Sequence, residues 1–308
     1  MKTIQLHKTN IEASNIVMGC MRIADMPLND IETLVRTAME QGINFFDHAD
    51  IYANGKSEEV FAQAIQMNDD IREQMILQSK CGINTKDNLY DFSKQHILQS
   101  VDGILKRLKT DYLDILLLHR PDPLMEPQEV AEAFDLLQSS GKVRHFGVSN
   151  FTPLQIELLK KDVKQPIIAN QLQFSVAHTP LIDSGVAFNM GNDQAINRDS
   201  GILEYSRIHD ITIQAWSPYQ AGFFAGPFLG DVEKFPELNQ LIQVIAQKYD
   251  VTDTAIAAAW ITRHPANIQV VLGTTNVGRL VDACAGSDIP LTRKEWYDIY
   301  KAAGNMIP

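Results

Sequence analysis

The stretch Gly42-Ile-Asn-Phe-Phe-Asp-His-Ala-Asp-Ile-Tyr52 decides the fold, because it joins a buried strand to a polar turn. Its first half, Ile43 to Phe46, is a short apolar run typical of a strand in a protein interior. Polar residues follow at once, with Asp47 at the end of the strand and Tyr52 in the turn beyond it. Ser57 is then placed to cap a helix. Acidic and phenolic groups at the carboxyl end of a buried strand are typical of functional sites in α/β folds.

Seven further apolar runs repeat this strand-then-helix pattern. They are continuous, as strands buried on both faces require. Eight such units predict a single (β/α)8 TIM barrel over residues 1–308. A doubly wound sheet is the alternative, but no G-x-G-x-x-G follows any strand. The other predicted strands are Asn15–Gly19, Met75–Ser79, Tyr112–Leu118, Val143–Val148, Pro166–Ala169, Ile211–Trp216 and Asn267–Leu272.

Segments at both ends of the chain add to the barrel. Lys2 to Leu6 and Asn10 to Ala13 alternate in polarity and predict an N-terminal β-hairpin. Residues 291–302 predict an extra C-terminal helix. The stretches 174–200 and 220–235 have weak periodicity and are predicted to be irregular.

Charge and cysteine content restrict the class of protein. A formal charge of −11 disfavours a nucleic-acid surface, which needs a basic stripe. The first residues lack the apolar core of a signal peptide, and no apolar run approaches the roughly 18 residues of a membrane span. The three cysteines, Cys20, Cys81 and Cys284, are too few and too widely spaced for a disulfide framework. These features predict a cytoplasmic protein that binds neither nucleic acid nor membrane.

Four polar residues are predicted to meet at one rim of the barrel. Asp47, Lys80 and His119 end the second, third and fourth strands, and Tyr52 lies just past the second. The carboxyl ends of barrel strands form one rim, so these side chains can converge. Taken singly, each has an ordinary explanation, such as a loop cap, a packed ring, a solvated lysine or a histidine that satisfies loop carbonyls. The combination indicates a catalytic site, and the sequence shows no metal-ligand pair or phosphate loop beside it.

Segments along nearly the whole chain resemble the aldo-keto reductases. The resemblance implies a barrel that binds NADP(H) without a Rossmann domain and reduces aldehydes or ketones to alcohols. It also implies that Asp47, Tyr52, Lys80 and His119 are the catalytic tetrad. The segments are Asn44-Phe-Phe-Asp-His-Ala-Asp-Ile-Tyr52, Gln78-Ser-Lys80, Leu116-Leu-Leu-His-Arg-Pro-Asp-Pro123, Gly147-Val-Ser-Asn-Phe151, Asn170-Gln171, Trp216-Ser-Pro218 and Gly273-Thr-Thr275 through Arg279.

The tetrad suits the proton-transfer half of carbonyl reduction. The cofactor supplies a hydride, and the protein must supply a proton to the oxygen. Tyrosine is a weak acid with a pKa of about 10, so Lys80 has to assist Tyr52. Asp47 would hold Lys80 and cancel part of its charge, so we expect a modest net shift in the pKa of Tyr52. A neutral His119 would donate a hydrogen bond to the substrate oxygen.

Polar and aromatic residues after later strands are predicted to bind the nicotinamide end of the cofactor. Ser149, Asn150 and Gln171 can hold the carboxamide, with ordinary loop hydrogen bonding as the alternative. Trp216 offers a flat face to the ring, with core packing as the alternative. The loop from Gln220 to Phe224 is expected to close over the pyrophosphate, since its glycine permits close backbone approach. Further predicted contacts are Gly19, Cys20, Met21, Ser217, Pro218, Ala221 and Gly222.

The segment after the eighth strand is predicted to bind the adenosine phosphate. Gly273, Thr274 and Thr275 precede a helix whose N-terminus can hold a phosphate. Arg279 can pair with the 2′-phosphate or stack on adenine, with a surface role as the alternative. Many relatives have a lysine where this chain has Gly273, so selection against NAD(H) is weakened, but NADP(H) is favoured. The predicted substrate contacts are Met21, Arg22, Tyr52, His119 and Arg120.

Two other functions fit parts of the sequence. A cofactor-binding regulatory subunit of the channel β-subunit type shares the tetrad, although the chain starts almost at the barrel. An unrelated barrel hydrolase is disfavoured by the missing metal ligands. The leading hypothesis is an NADPH-dependent reductase of a small-molecule carbonyl substrate, active as a monomer or small homo-oligomer.

Overall fold

Eight parallel strands close into a barrel in the computed structural model, which describes residues 1–223 and 225–308. Each strand pairs with its neighbours in chain order, and the eighth pairs with the first. The predicted (β/α)8 fold is confirmed. The strands are β1 (Ile16–Gly19), β2 (Phe45–Asp47), β3 (Ile76–Cys81), β4 (Leu113–Leu118), β5 (Val143–Ser149), β6 (Ile167–Gln173), β7 (Thr212–Trp216) and β8 (Gln269–Leu272).

Helices cover the outside of the barrel, and most of the longer ones bury one apolar face, whereas α10 (Asp253–Thr262) is buried on all sides from Ala255 to Thr262. Side-chain caps fix several of their N-termini, among them Ser93, whose hydroxyl accepts from the His96 amide, and Thr152, which forms a capping box with Gln155. The helices are α1 (Leu28–Glu40), α2 (Lys56–Ala64), α3 (Asp69–Arg72), α4 (Lys94–Leu108), α5 (Pro127–Ser139), α6 (Pro153–Leu159), α7 (Pro180–Val186), α8 (Ile202–Ile208), α9 (Pro236–Tyr249), α10 (Asp253–Thr262), α11 (Val277–Ala285) and α12 (Arg293–Ala302).

The two ends of the chain pack onto the barrel as the sequence predicts. An antiparallel hairpin of Thr3–Gln5 and Glu12–Ser14 buries Ile4 and Leu6 against the apolar residues inside the barrel. This apolar cluster covers the amino-terminal end of the barrel, so a site can form at the carboxyl rim. The rings of Trp260 and Trp296 stack at 4.8 Å and fix α12 against α10. None of the helices in the described parts of the chain is long and apolar enough to cross a membrane.

Several local expectations differ from the structure. Ser57 is not a helix cap, because α2 begins at Lys56 and is preceded by Gly55 in a left-handed conformation (φ +88°). The 3₁₀ turn Tyr52–Gly55 leads directly into the helix and leaves Ser57 buried inside it. A small hairpin of Ile83–Asn84 and Leu89–Tyr90 was not predicted, and α7 lies in a stretch expected to be irregular.

Candidate active site

Lys80 is the centre of a buried hydrogen-bonded cluster at the carboxyl rim. Asp47 is the last residue of β2, Lys80 lies one residue before the end of β3, and Tyr52 opens the turn after β2. The ammonium of Lys80 donates to Asp47 Oδ2 at 2.7 Å, to the His48 carbonyl at 2.8 Å and to the phenolic oxygen of Tyr52 at 3.0 Å. An ammonium has three N–H donors, so each has a partner. The geometry fixes the ammonium directly beside the phenol.

Burial governs the acid–base properties of this cluster. Burial alone would lower the pKa of Lys80, but the charge and hydrogen bond of Asp47, together with Tyr52, raise it above its ordinary value. Lys80 therefore stays charged at neutral pH. Burial also raises the pKa of Tyr52, and the opposing charge of Lys80 does not reverse the shift. The modest pKa shift expected for Tyr52 considers only the charges of Lys80 and Asp47. Desolvation of the phenolate is the largest cause of the observed shift, and it raises the pKa.

His119 follows β4 and lies against the Tyr52 ring. The two ring centroids are 6.1 Å apart and the planes are nearly perpendicular. Burial, with the charges of Lys80 and Arg120, holds the pKa of His119 well below its usual range. Its Nδ1 is buried, and no hydrogen-bond partner lies near it within residues 1–223 and 225–308. A neutral imidazole carries one N–H donor and one acceptor, so His119 can bind a neutral oxygen-containing group.

Residues from β5, β6 and β7 form a second polar cluster on the same rim. The Ser149 hydroxyl donates to the Gln171 carbonyl at 3.0 Å, and the Asn150 amide donates to the Ser149 hydroxyl at 2.8 Å. The indole N–H of Trp216 donates to Asn150 Oδ1 at 3.1 Å. Gln171 Nε2 donates to Asp47 Oδ1 at 3.1 Å, which connects this cluster to Lys80. Because β6 continues to Gln173, Gln171 lies within the strand rather than at its end.

Arg120 lies over the ring that we expected to stack on nicotinamide. Its guanidinium carbon is 5.8 Å from the centre of the Trp216 ring, within reach of a cation–π interaction. Phe223 approaches the same ring edge-on at 6.2 Å. Arg120 has no ion-pair partner in the described parts of the chain. Met21 and Arg22 are exposed in the turn after β1.

The remaining predicted contacts near the nicotinamide end have strong local constraints. A Cβ atom on Gly19 would lie 2.4 Å from the Leu272 carbonyl oxygen, so the approach of β1 to β8 requires glycine. Cys20 is buried beside Asp47, and burial raises the pKa of its thiol.

The loop after β7 is closed by its own backbone. Gln220 pairs with Pro227, and the Ala221 amide donates to the Gly226 carbonyl at 2.9 Å, so Gly222 lies in a small closed loop. Ser217 has a positive φ of 53° and Pro218 is buried, while Phe224 lies outside the described residues.

The predicted phosphate segment forms a capped helix N-terminus. Asn276 precedes α11, and its Oδ1 accepts from the Arg279 amide at 2.9 Å. Thr274 Oγ1 accepts from the Asn276 amide at 3.1 Å. Thr275 and Arg279 are exposed, and open space lies beside Gly273. Within the described ranges no hydrogen bond or ion pair joins these residues to the Lys80 cluster.

Sequence reasoning missed the residues that support Asp47 from inside the barrel. Gln78, Gln214 and Gln269 are buried in β3, β7 and β8 and are linked by hydrogen bonds. A single amide inside an otherwise apolar strand was the available signal, as in Thr212-Ile-Gln-Ala-Trp216.

The fold and the rim define the class of protein. The sequence model of the aldo/keto reductase family matches residues 15–303, so the chain belongs to this family. The oxidoreductase YdhF of Escherichia coli is 35% identical over 301 residues, covering 95% of this chain and 94% of its own. A 6-dehydroglucose reductase of Agrobacterium fabrum is 32% identical and covers 95% of both chains. An aldo/keto reductase of Klebsiella pneumoniae, solved with NADP and acetate, is 25% identical, has a TM-score of 0.75 and covers 94% of this chain and 91% of its own.

Proposed function

We propose that this protein reduces an aldehyde or ketone to an alcohol with NADPH and that Tyr52 donates the proton. The 3.0 Å hydrogen bond between the Lys80 ammonium and the Tyr52 phenol carries the proposal. When Tyr52 releases its proton, the phenolate forms beside a cation that is already in place. A unit charge at 4 Å is worth up to about 4 kcal/mol at an effective dielectric of 20. Since burial raises the pKa of Tyr52, the phenol remains protonated and ready to donate at neutral pH.

Asp47 and His119 have different supporting roles in this proposal. Asp47 fixes the lysine, because its Oδ2 accepts the 2.7 Å hydrogen bond from the ammonium. His119 is neutral at neutral pH and lies beside the Tyr52 ring, so its N–H can orient the carbonyl oxygen toward the phenol. In the reverse direction the Tyr52 phenolate would accept a proton from an alcohol. A raised pKa for Tyr52 places that direction at alkaline pH.

NADP(H) is the proposed cofactor and would supply the hydride. Ser149 and Asn150 have the hydroxyl and amide groups that a carboxamide needs. Gln171 can contribute its Oε1 as an acceptor, because its two N–H groups bind Asp47 and Gln214. Thr275 and Arg279 present polar groups at the exposed N-terminus of α11, which suits a phosphate. The Klebsiella relative was solved with NADP, which supports the same choice.

The mouth of the site favours a polar carbonyl compound. Arg22 and Arg120 carry charges without an ion-pair partner in the described parts of the chain. Such guanidinium groups bind hydroxyl or carboxylate oxygens with several N–H donors. A 6-dehydroglucose reductase is among the relatives, so sugar-derived aldehydes belong in the set of compounds to test.

The test is carbonyl-dependent consumption of NADPH, compared with NADH, over a panel of aldehydes, ketones and quinones. Tyr52→Phe should lower kcat by about 10²- to 10⁴-fold, the usual contribution of a general acid, while NADPH binding stays near wild type. Tyr300→Phe is the matched control, because it removes a buried phenolic hydroxyl that donates to Asp183 on another face. Unchanged turnover in Tyr52→Phe would remove the proposed role. NADPH binding without turnover on any compound would favour the regulatory subunit.

A further inference from the structure

Four buried glutamines form a hydrogen-bonded layer inside the barrel. They are Gln78 in β3, Gln171 in β6, Gln214 in β7 and Gln269 in β8, and each is at most 3% exposed. Barrel interiors are usually filled by branched apolar side chains. A buried amide costs free energy unless its donors and acceptor are paired. The layer lies next to Asp47, and two of its glutamines bind the Asp47 carboxylate.

The upper part of the layer binds the Asp47 oxygen that does not face Lys80. Gln78 Nε2 donates to Asp47 Oδ1 at 2.6 Å, and Gln171 Nε2 donates to the same atom at 3.1 Å. Lys80 binds the other oxygen, Oδ2, at 2.7 Å. The carboxylate is therefore held from both sides and cannot rotate without losing a hydrogen bond.

Gln214 joins the glutamines into one unit. Its Oε1 accepts from Gln78 at 2.9 Å and from Gln171 at 3.2 Å. Its Nε2 donates to Gln78 Oε1 at 3.1 Å and to Gln269 Oε1 at 3.0 Å. A primary amide has two donors and one oxygen with two acceptor positions, and Gln214 uses all of them. The side chain of Gln214 is thus the fully satisfied centre of the layer.

Only one orientation of the amide groups satisfies both ends of the layer. At the lower end, Gln269 Nε2 donates to the backbone carbonyl of Ser14 at 2.8 Å, and a carbonyl can only accept. At the upper end, Asp47 is a carboxylate and also only accepts. Every amide in the layer must therefore present its N–H groups as described, because turning Gln214 around would place two acceptors against each other. The layer therefore connects the Ser14 backbone to the Asp47 carboxylate through one continuous set of hydrogen bonds.

We propose that Gln214 is a positioning residue for carbonyl reduction. Through Gln78 and Gln171 it holds the Asp47 carboxylate in the orientation that keeps the Lys80 ammonium against Tyr52. The inference rests on the proposed function. Neutral amides suit this task, because they bind the carboxylate without adding a second cation that would compete with Lys80 for it.

Gln214→Met tests the proposal, since methionine has a similar shape and cannot form the four hydrogen bonds. We expect kcat to fall about 10- to 100-fold, as small misplacements of a catalytic group do, with the KM for NADPH unchanged. Gln165→Met is the matched control, because Gln165 is a buried glutamine that donates to a carboxylate, Asp135, at 2.7 Å outside the barrel interior. A normal kcat in Gln214→Met, or an equal loss in both variants, would overturn the proposal.

A measurement without turnover separates this proposal from the proposed function. In protein labelled with carbon-13 at the tyrosine ζ carbons, the Tyr52 resonance is identified by its loss in Tyr52→Phe. It should move in Gln214→Met, because the hydrogen bond from Lys80 changes, and stay in place in Gln165→Met. An unmoved resonance overturns the positioning role whatever the enzyme reduces. A moved resonance in a protein that reduces no carbonyl supports the positioning of Tyr52 and refutes the reductase function.

Gln214→Glu gives a second variant if Gln214→Met does not fold. Its carboxyl group can still accept hydrogen bonds from Gln78 and Gln171. It can donate a hydrogen bond only when it is protonated. We expect the ratio of its kcat to the wild-type kcat to fall as pH rises and the new carboxyl ionises, while NADPH binding is constant. A ratio that does not change with pH would overturn the proposal, because a merely structural residue has no reason to titrate with kcat.

Discussion

Two barrel strands each carry a buried carboxylate, Asp47 at the carboxyl rim and Asp114 near the amino-terminal end, and the two are neutralised differently. Asp114 Oδ2 accepts from Arg72 Nη2 at 2.6 Å and from the Leu77 amide at 2.9 Å. Its Oδ1 accepts from Arg144 Nη1 at 3.0 Å. Two guanidinium groups and a backbone amide thus bind Asp114. One ammonium and two neutral amides bind Asp47.

This difference separates a stabilising ion pair from one that can support a reaction. Arg72 uses its other N–H groups on the carbonyls of Met75 and Tyr112, and a guanidinium stays charged under all ordinary conditions. Lys80 instead donates one of its three N–H groups to the Tyr52 phenol. Near it, His48 Nδ1, His48 Nε2 and His119 Nδ1 are buried with no hydrogen-bond partner in the described ranges. The polar atoms around the amino-terminal pair are hydrogen-bonded, whereas the described part of the rim has unpartnered polar atoms close to the phenol that we propose as the proton donor.

The largest expected effect is on activity in Lys80→Met. Tyr52 would lose the cation that stabilises its phenolate, so kcat should fall by about 10²- to 10⁴-fold. Asp47 would also keep a buried charge without its partner, at a cost of about 3–5 kcal/mol of unfolding free energy. Steady-state kinetics and denaturant unfolding measure the two effects. Lys142→Met, which breaks the exposed pair with Asp102, is the control and should change neither.

Arg72→Met should lower the stability of the protein and leave its activity unchanged. It leaves Asp114 without its 2.6 Å partner, and both side chains are almost completely buried. We expect the free energy of unfolding to fall by about 3–5 kcal/mol, as for other buried pairs broken from one side. The kcat of the folded fraction should match wild type, because the pair lies at the other end of the barrel. A kcat reduced as strongly as in Lys80→Met would mean that the two carboxylates are not functionally distinct.

The positions of Asp47, Tyr52, Lys80 and His119 could be anticipated because they depend on local sequence. The strands are rich in apolar residues, and the residue type changes near the carboxyl end of a strand, as at Asp47 and after Leu118. Parallel strands in a closed barrel then bring those ends to one rim without further information. The same reasoning placed Ser149, Asn150 and Trp216 near one another, and the structure joins them by hydrogen bonds.

The glutamine layer and the pKa of Tyr52 could not be anticipated in the same way. Gln78 and Gln214 are 136 residues apart and meet across the barrel, so no local pattern encodes their contact. The direction of the pKa shift of Tyr52 depends on how completely the surrounding chain excludes water. The charges of neighbouring residues alone do not reveal this. The prediction that Ser57 caps the helix was wrong for a local reason, because the 3₁₀ turn leads into α2 two residues earlier than a cap at Ser57 would require.

A pH-dependent effect is expected from His48, whose two ring nitrogens are buried at the rim without a hydrogen-bond partner in the described parts of the chain. Burial, with the charge of Lys80, lowers the pKa of His48 to about 3. Below the ordinary value of about 6.5 the unfolded chain binds a proton that the folded protein refuses, so stability falls as pH falls through that value. His48→Leu should remove this contribution, and its stability relative to wild type should rise by about 1 kcal/mol per pH unit on acidification below about pH 6. Thermal or denaturant unfolding at several pH values measures it, and parallel pH profiles would contradict it.

The smallest expected effect is that of Arg144→Ala, which tests whether both guanidinium groups at Asp114 are equivalent. Arg72 and Arg144 lie on the Tyr112 ring at the same distance, 3.8 Å, but the Arg144 side chain is 54% exposed while that of Arg72 is 4% exposed. Water screens an exposed ion pair, so the loss should be about 0.5–1 kcal/mol. High salt should make this loss of unfolding free energy smaller still. The loss caused by Arg72→Met should depend less on salt, because that ion pair is buried. A loss as large as that of Arg72→Met, measured by denaturant unfolding, would show that Asp114 needs both arginines and that burial does not decide their contributions.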